Sequence, residues 1–313
     1  MRHCLWRLRE LENIANMNRT RDIWGSFVPC RQKSVGIFLV IRDKENITNQ
    51  RKGLVIRMKK LISFTKKELT EHARSGKLIF MLILFTLFGI MNPAVAKLTP
   101  WLLETMSDSL AQSGMVITTV EVTAMDSWVQ FYKNIPMALI VFVILESSIF
   151  TNEYRSGSLI LSLTKGLERH IVIKSKVFVM LALWSVGYWL CFAITYGYNA
   201  YFWDNSVASC LSFSVLCWWL FGVLVIALVV FFSVTAKTNI GVLCGTGAVA
   251  FVSYLIGIIP KASRYVPTKL LDGNSLIYGI AEIGDYVPAI VLTAVVSVML
   301  LAASIPIFNK KQL

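Results

Sequence analysis

Apolar and charged residues alternate regularly along this 313-residue chain from Met58 onward. Six apolar runs are separated by short charged breaks, and about 20 apolar residues suffice for a helix to span the ~30 Å hydrocarbon core of a bilayer. Because an open sheet cannot satisfy its backbone in lipid, and the runs are too long for barrel strands, the pattern predicts an all-α polytopic membrane protein. The predicted spans are Gly76 to Ala96, Asn134 to Phe150, Val177 to Ala200, Cys210 to Val234, Ile240 to Ile259 and Val287 to Phe308.

Residues 1–57 differ from the rest of the chain. Nine of the thirteen arginines lie there, and no helical or strand period is sustained. A second start, MKKLISFTKKEL, begins at Met58 and reads like a natural amino terminus. We predict a transmembrane domain over residues 58–313, and interpret residues 1–57 as an over-called start or, alternatively, as a short basic cytoplasmic arm.

The stretch from Met58 to Gly76 predicts a basic amphipathic helix that lies in the inner leaflet before the first span. Plotted at 100° per residue, apolar and basic residues occupy opposite arcs. The apolar arc holds Leu61, Ile62, Thr65, Leu69 and Ala73, with Phe64 at its edge, and the other arc holds Lys60, Lys66, Lys67, Thr70 and Arg74.

Composition and charge support a membrane location. Only 16% of the residues are charged and the mean hydropathy is +0.63, whereas soluble domains carry about 25% charged residues. The net charge of +13 would also suit a nucleic-acid partner, but its distribution argues against one. If Met58 is cytoplasmic, fourteen lysines and arginines from Met58 onward lie inside and five lie outside. This positive-inside bias predicts a plasma-membrane protein with both termini in the cytoplasm and no nucleic-acid partner.

The second and third spans are joined by a segment too charged to cross the bilayer, EYRSGSLILSLTKGLERHIVIKSK, from Glu153 to Lys176. On a helix, Leu159, Leu163 and Leu167 would form a stripe at a spacing of four. Such a stripe can pack on membrane helices or contact a cytoplasmic partner. The segment can also be a plain connection between two spans.

These residues resemble the signature of ABC-2 type transporter permeases, which runs E-Y-x-x-G-T-L, a leucine-rich turn, P-x-x-R, and a lysine at the start of the third helix. The chain departs from that pattern at Ser158, where threonine is usual, and at Gly166, where proline is common. The matching residues are Glu153, Tyr154, Gly157, Leu159, Arg169 and Lys176.

The resemblance implies a six-helix permease of the type V exporter-like fold with an N-terminal elbow helix. It further implies that residues 153–176 dock on a separate ATPase subunit, which binds the ATP and Mg, and that two permease chains, identical or different, work together in export. The ATPase-coupling residues it implies are Glu153, Tyr154, Gly157, Leu159, Leu163 and Arg169.

Catalytic and metal motifs find no support in the sequence. The Gly76-Lys77 pair is followed by Leu78, so it does not complete the G-x-x-x-x-G-K-[ST] loop that cradles phosphates. The loops show no nucleophile with a neighbouring base, and the six cysteines show no CxxC spacing. We therefore expect neither an enzyme nor a bound cofactor or metal in this chain.

Glu146 is an ionisable residue inside a predicted span, which makes it a candidate for the translocation path. A structural hydrogen bond to Ser147 or to a neighbouring helix is the alternative. Gly241 and Gly245 have the GxxxG spacing that allows close helix packing, within the chain or between chains. The alternative function is an ion-gradient-driven secondary transporter, and a lipid-modifying enzyme ranks third. No residue selects a substrate.

Overall fold

The computed structural model describes residues 55–105, 121–157, 164, 168–236 and 238–310. The chain divides into two compact units, Met1–Met58 and Lys59–Leu313. In the described ranges the regular structure is helical, without a β-strand. The helices are α1 (residues 55–74), α2 (Lys77–Thr105), α3 (Ala124–Glu146), α4 (Thr151–Ser156), α5 (Arg169–Phe202), α6 (Leu211–Thr235), α7 (Asn239–Gly257), α8 (Pro260–Ser263), α9 (Gly273–Ile277) and α10 (Ile283–Lys310), with 3₁₀ turns at Asn205–Val207 and Pro267–Leu271.

The all-helical class and the six predicted spans are confirmed. By length and composition, α2, α3, α5, α6, α7 and α10 can each cross a membrane. Three starts were predicted too late, by four residues in α10, which begins at Ile283 rather than Val287, and by more in two other helices. Helix α3 begins at Ala124 rather than Asn134, and α5 begins at Arg169 rather than Val177. In both places polar residues lower the mean hydropathy, while the opposite side of the helix is buried in the protein, so the first turns are held by packing rather than by lipid.

Helix α6 lies at the centre of the bundle and is the most buried of the six spans. It packs on α10 and α7 at one side, while α2 packs on α5 and α3 at the other. The two groups of helices pack closely on each other. Gly222 of α6 leaves no room for a side chain, since an added Cβ would lie 2.2 Å from the Trp184 ring of α5. Within α7, Gly245 lies against Phe232 of α6 and Gly241 against Ala236, so this GxxxG pair packs within the chain.

The segment that follows α7 folds back into the bundle at the end opposite to α1. The Ser214 hydroxyl of α6 accepts a 2.7 Å hydrogen bond from Tyr132 and donates one of 3.2 Å to the Gly273 carbonyl. Trp218 donates to the Leu271 carbonyl at 3.1 Å, and Tyr286 to the Asp272 carbonyl at 2.8 Å. The segment between α7 and α10 is therefore a packed part of the structure.

We expect Gly187→Ala to destabilise the protein by about 1–3 kcal/mol, because the added methyl overpacks a closed core. A Cβ there would lie 2.5 Å from the Phe85 ring, which is fully buried and has an edge contact with Trp184. Gly197→Ala, on the same helix, is the matched control, since its Cβ meets open space. Thermal unfolding in detergent measures both, and equal melting temperatures for the two variants would contradict this packing.

Candidate functional site

The sides of helix α1 differ in burial. Its inward face, defined here as Phe64, Glu68 and His72, is buried against the bundle. The apolar residues Ile62 and Leu69 are instead exposed. Residues 64, 68 and 72 repeat at a spacing of four and so share one side of a helix. The face that docks on the protein therefore carries an acid and a histidine beside Phe64, while Ile62 and Leu69 of the apolar arc stay exposed.

A buried ion cluster, formed by Glu68, Glu153 and Lys176, joins α1, α4 and α5. The Lys176 ammonium is only 1% exposed. It donates to Glu68 Oε2 at 2.8 Å and to the Ile149 carbonyl at 3.3 Å, and it forms an ion pair of 3.0 Å with Glu153 Oε2. Burial of a charge costs several kcal/mol unless it is paired and hydrogen-bonded, so these groups depend on one another.

Lys67 closes the rim of the buried ion cluster. Its ammonium lies 3.0 Å from Glu153 Oε1 and 3.2 Å from Glu68 Oε1, and it pairs with Glu71 at 2.9 Å. Burial opposes the charge of Lys67, but the hydrogen bond that Lys67 donates to Glu71 and the nearby carboxylates outweigh it and raise the pKa of Lys67. Burial likewise opposes the Glu71 carboxylate, whose pKa is nevertheless lowered by Lys67. The rim pairs therefore stay ionised at neutral pH.

Three carboxylates here are close enough to share a cation. Glu68, Glu71 and Glu153 offer oxygens that lie within 4.8 Å of one another. The Lys67 and Lys176 ammonium groups already contact these carboxylates. Ion pairing with these two lysines explains why the three carboxylates lie so close together. The absence of a metal site stays a prediction.

A second buried pair links α1 to the end of α3. His72 Nε2 lies 3.2 Å from Glu146 Oε2, and Nδ1 lies 3.0 Å from the Glu68 backbone carbonyl. A carbonyl can only accept, so Nδ1 carries a hydrogen, and a further proton lies between Nε2 and the Glu146 carboxyl. Burial opposes the imidazolium, yet the hydrogen bond and the charge of Glu146 raise the pKa of His72.

Lys77, the first residue of α2, completes this end of the bundle. It donates to the Leu145 carbonyl at 3.0 Å and to the Ser148 hydroxyl at 3.2 Å, where α3 ends. A cation near the last carbonyls of a helix is favourable because of the helix dipole. Both ends of the α1–α2 turn are thereby bound to α3.

The structure describes three of the predicted coupling residues, and one of them belongs to the buried ion cluster. Glu153 belongs to the buried ion cluster. Gly157 ends α4 in the left-handed conformation, with φ of 65°, which glycine adopts without steric cost. Arg169 begins α5 and donates to the Phe308 and Asn309 carbonyls of α10, each at 3.1 Å. Arg169 thus fixes the start of α5 to the end of α10.

The remaining predicted coupling residues are not described. Tyr154 lies in α4, but its side chain lies outside the described part of the chain, as do Leu159 and Leu163. Glu146, predicted as a candidate for the translocation path, faces His72 of a neighbouring helix. This contact matches the structural alternative for Glu146, and a role in transport stays a prediction.

Sequence reasoning missed Glu68 and His72 as docking residues. Both lie on a helix whose other charges are mostly basic, and they stand four residues apart. A carboxylate and a histidine at that spacing on a basic helix are a usable signal for a protein-facing side. Their partners are distant in sequence, since Glu68 and Lys176 are separated by 108 residues, and no local pattern identifies them.

A polar network within the bundle joins α2, α3 and α5. Asn92 donates to the Thr195 hydroxyl at 3.0 Å and accepts from Asn134 at 2.8 Å, while Thr195 also contacts the Gly89 carbonyl at 3.1 Å. Such bonds between helices stabilise membrane bundles by roughly 0.6 kcal/mol each. This network holds the three helices together.

Comparison with known proteins identifies the general class of the chain. No family model matches it. It is 22% identical over 253 residues to a protein of Bacillus subtilis (strain 168) called "Uncharacterized transmembrane protein YxlG", and the match covers 78% of this chain and 95% of that protein. The six apolar helices and this similarity make the chain a multi-pass membrane protein.

Proposed function

We propose that the chain is the permease subunit of an ATP-binding cassette transporter of the ABC-2 type, which forms the translocation path and couples to a separate ATPase for export. The observation that carries this proposal is the buried ion cluster, whose Glu153 and Lys176 stand at the two ends of residues 153–176. Those residues are the ones that resemble the permease signature. The two side chains meet, so the segment begins and ends at the same place in the bundle.

The ion pairs give such a loop a mechanical role. Lys176 continues into span α5, Glu153 follows span α3, and Glu68 adds α1 to the same cluster. A partner that pushes on the loop would move the ends of these three elements together, because separating them exposes unpaired charges in a buried site. Nucleotide-driven movement of an ATPase could in this way reach the spans.

The proposed transporter requires two kinds of partner protein. The ATPase binds ATP and Mg, and this chain hydrolyses nothing. A second permease chain completes the path, as a homodimer or a heterodimer, in the plasma membrane with both termini cytoplasmic. Helix α1 acts as the elbow helix of the type V exporter-like fold. The distribution of lysine and arginine supports this orientation.

We expect the Leu159→Asp/Leu163→Asp variant to lose co-purification with the ABC ATPase encoded beside the gene. The reason is that two carboxylates replace two of the three leucines of the stripe predicted to contact the ATPase, and burying a charge at such an interface costs several kcal/mol. The full-length chain is co-expressed with the ATPase and purified by an affinity tag. The measurement is the molar ratio of ATPase to permease in the purified sample. Ile280→Asp is the matched control, because Ile280 is 78% exposed and lies toward the end of the bundle opposite to α1.

Two results would contradict the proposal. If the ATPase binds the double Asp variant as well as the wild type, residues 159 and 163 are not the coupling surface. If no ABC ATPase binds the unmutated chain, the permease assignment fails. The ion-gradient-driven secondary transporter then becomes the leading function, and transport driven by a proton or sodium gradient in proteoliposomes would test it.

A further inference from the structure

We propose that α1 binds the headgroups of anionic phospholipids of the inner leaflet through Lys59 and Lys66. The proposal rests on the orientation proposed above, with α1 on the cytoplasmic side of a multi-pass membrane protein, and does not depend on the transport function. It assigns a ligand to a surface of α1 that neither packs on the bundle nor joins the buried ion cluster.

The exposed apolar side of α1 sets the position of this surface. Ile62 is 62% exposed and Leu69 is 44% exposed, and Ala73 is exposed beside them. These positions fall within one arc at 100° per residue. Because α1 leads through a short turn at Ser75 and Gly76 into the first span, the apolar side lies at the boundary between headgroups and acyl chains. Helices of this kind lie in the interface with their apolar side buried in lipid.

Lys59 and Lys66 border that apolar arc. They stand seven residues apart, about two helical turns, so both ammonium groups project along the same edge. Both side chains are exposed, and neither forms an ion pair within the described residues. Their position beside the apolar side places them at the depth of lipid phosphates.

The contrast with Lys67 supports a lipid ligand. Lys67, the neighbour of Lys66, contacts three carboxylates of the protein. Among the cations of helix α1, Lys67 is thus neutralised by the protein, whereas Lys59 and Lys66 stay exposed. The inward face fixes this division, because Glu68 and His72 hold the rotation of α1 about its axis. Phospholipid phosphates then supply the counter-charge at Lys59 and Lys66.

Native mass spectrometry of the full-length chain in mild detergent, titrated with POPG or POPC, tests the proposal. Each lysine near an anionic surface contributes about fivefold to binding, so Lys59→Gln/Lys66→Gln should weaken binding of the tightest POPG roughly 25-fold. Lys59→Arg/Lys66→Arg should bind POPG like the wild type. Lys133→Gln/Lys261→Gln removes two exposed lysines distant from α1 and should leave the affinity unchanged.

The proposal is overturned if the double Gln variant, while folded, binds POPG as tightly as the wild type. It is also overturned if the wild type binds POPC equally well, since the site would then not select charge. An equal loss in the Lys133→Gln/Lys261→Gln variant would mean that net charge alone governs lipid binding. Unchanged thermal unfolding of the variants in POPC establishes that each one is folded.

Discussion

Replacement of Lys176 by methionine is expected to lower the free energy of unfolding by about 3–5 kcal/mol, the largest single effect predicted for this protein. The ammonium is 1% exposed and pairs with Glu68 and Glu153. Methionine fills a similar volume, so the loss arises from two buried carboxylates left with Lys67 as their remaining cation. The Ile149 carbonyl loses its 3.3 Å hydrogen bond as well.

Lys174→Met is the matched control, because Lys174 lies two residues away on α5 and is exposed. Thermal unfolding in detergent, followed by intrinsic tryptophan fluorescence, compares the two variants with the wild type. A melting temperature for Lys176→Met as high as that of Lys174→Met would mean that the cluster does not hold α1, α4 and α5 together.

A double-mutant cycle separates charge from packing at the same site. Glu68→Gln removes one buried carboxylate and so relieves part of the charge that Lys176→Met leaves unpaired. The Glu68→Gln/Lys176→Met variant should therefore be more stable than the sum of the single effects predicts, by roughly 1–3 kcal/mol. Additive effects would assign the loss to packing of the lysine stem.

The spans were predictable because lipid imposes a length and a composition that a single sequence reveals. Helix α6 is uniformly apolar and begins and ends within a residue of its predicted bounds. The start of α3 was not predictable, because Asp126 and Lys133 interrupt the apolar pattern while Trp128 and Phe131 of the same turns are fully buried. A helix whose packed side alone is apolar leaves a weaker hydropathy signal in the sequence than a helix that is apolar all round, as α6 is at the centre of the bundle.

The candidate site was predictable only in part. The permease-like pattern drew attention to Glu153 and Lys176, which the structure brings within 3.0 Å. Glu68 and His72 had no such pattern, because their partners are set by how the helices pack. Pairing of buried charges across distant elements depends on the tertiary fold, whereas a sequence motif reports one contiguous segment.

The second large effect concerns pH and depends on His72. The unfolded chain has a histidine pKa of about 6.5, and the folded pKa is raised by Glu146 against the opposing effects of burial and of Lys77. The folded state therefore binds the proton more tightly. Its contribution to stability is fully present below pH about 6.5 and is lost as pH rises through the folded pKa.

From about pH 6 upward, as pH rises through the raised folded pKa of His72, we expect the wild type to lose stability and His72→Gln to lose much less. At the acidic end the variant should be less stable by about 1.5–3 kcal/mol, the usual contribution of a hydrogen bond to a charged group. Glu71 also senses His72, but its pKa is lowered, so it stays ionised throughout this range. Lys67 likewise stays charged, because its pKa is raised.

His170→Gln controls for a second histidine near a carboxylate. His170 lies 3.2 Å from Glu168, but both side chains are partly exposed, so solvent screens their interaction. Its replacement should leave the pH profile of the wild type intact. The measurement is the melting temperature of each variant across this pH range. If the melting temperature of His72→Gln falls with pH as steeply as that of the wild type, another group is responsible for the titration. A flat His72→Gln profile would instead show that protonation of one buried histidine holds α1 against the end of α3.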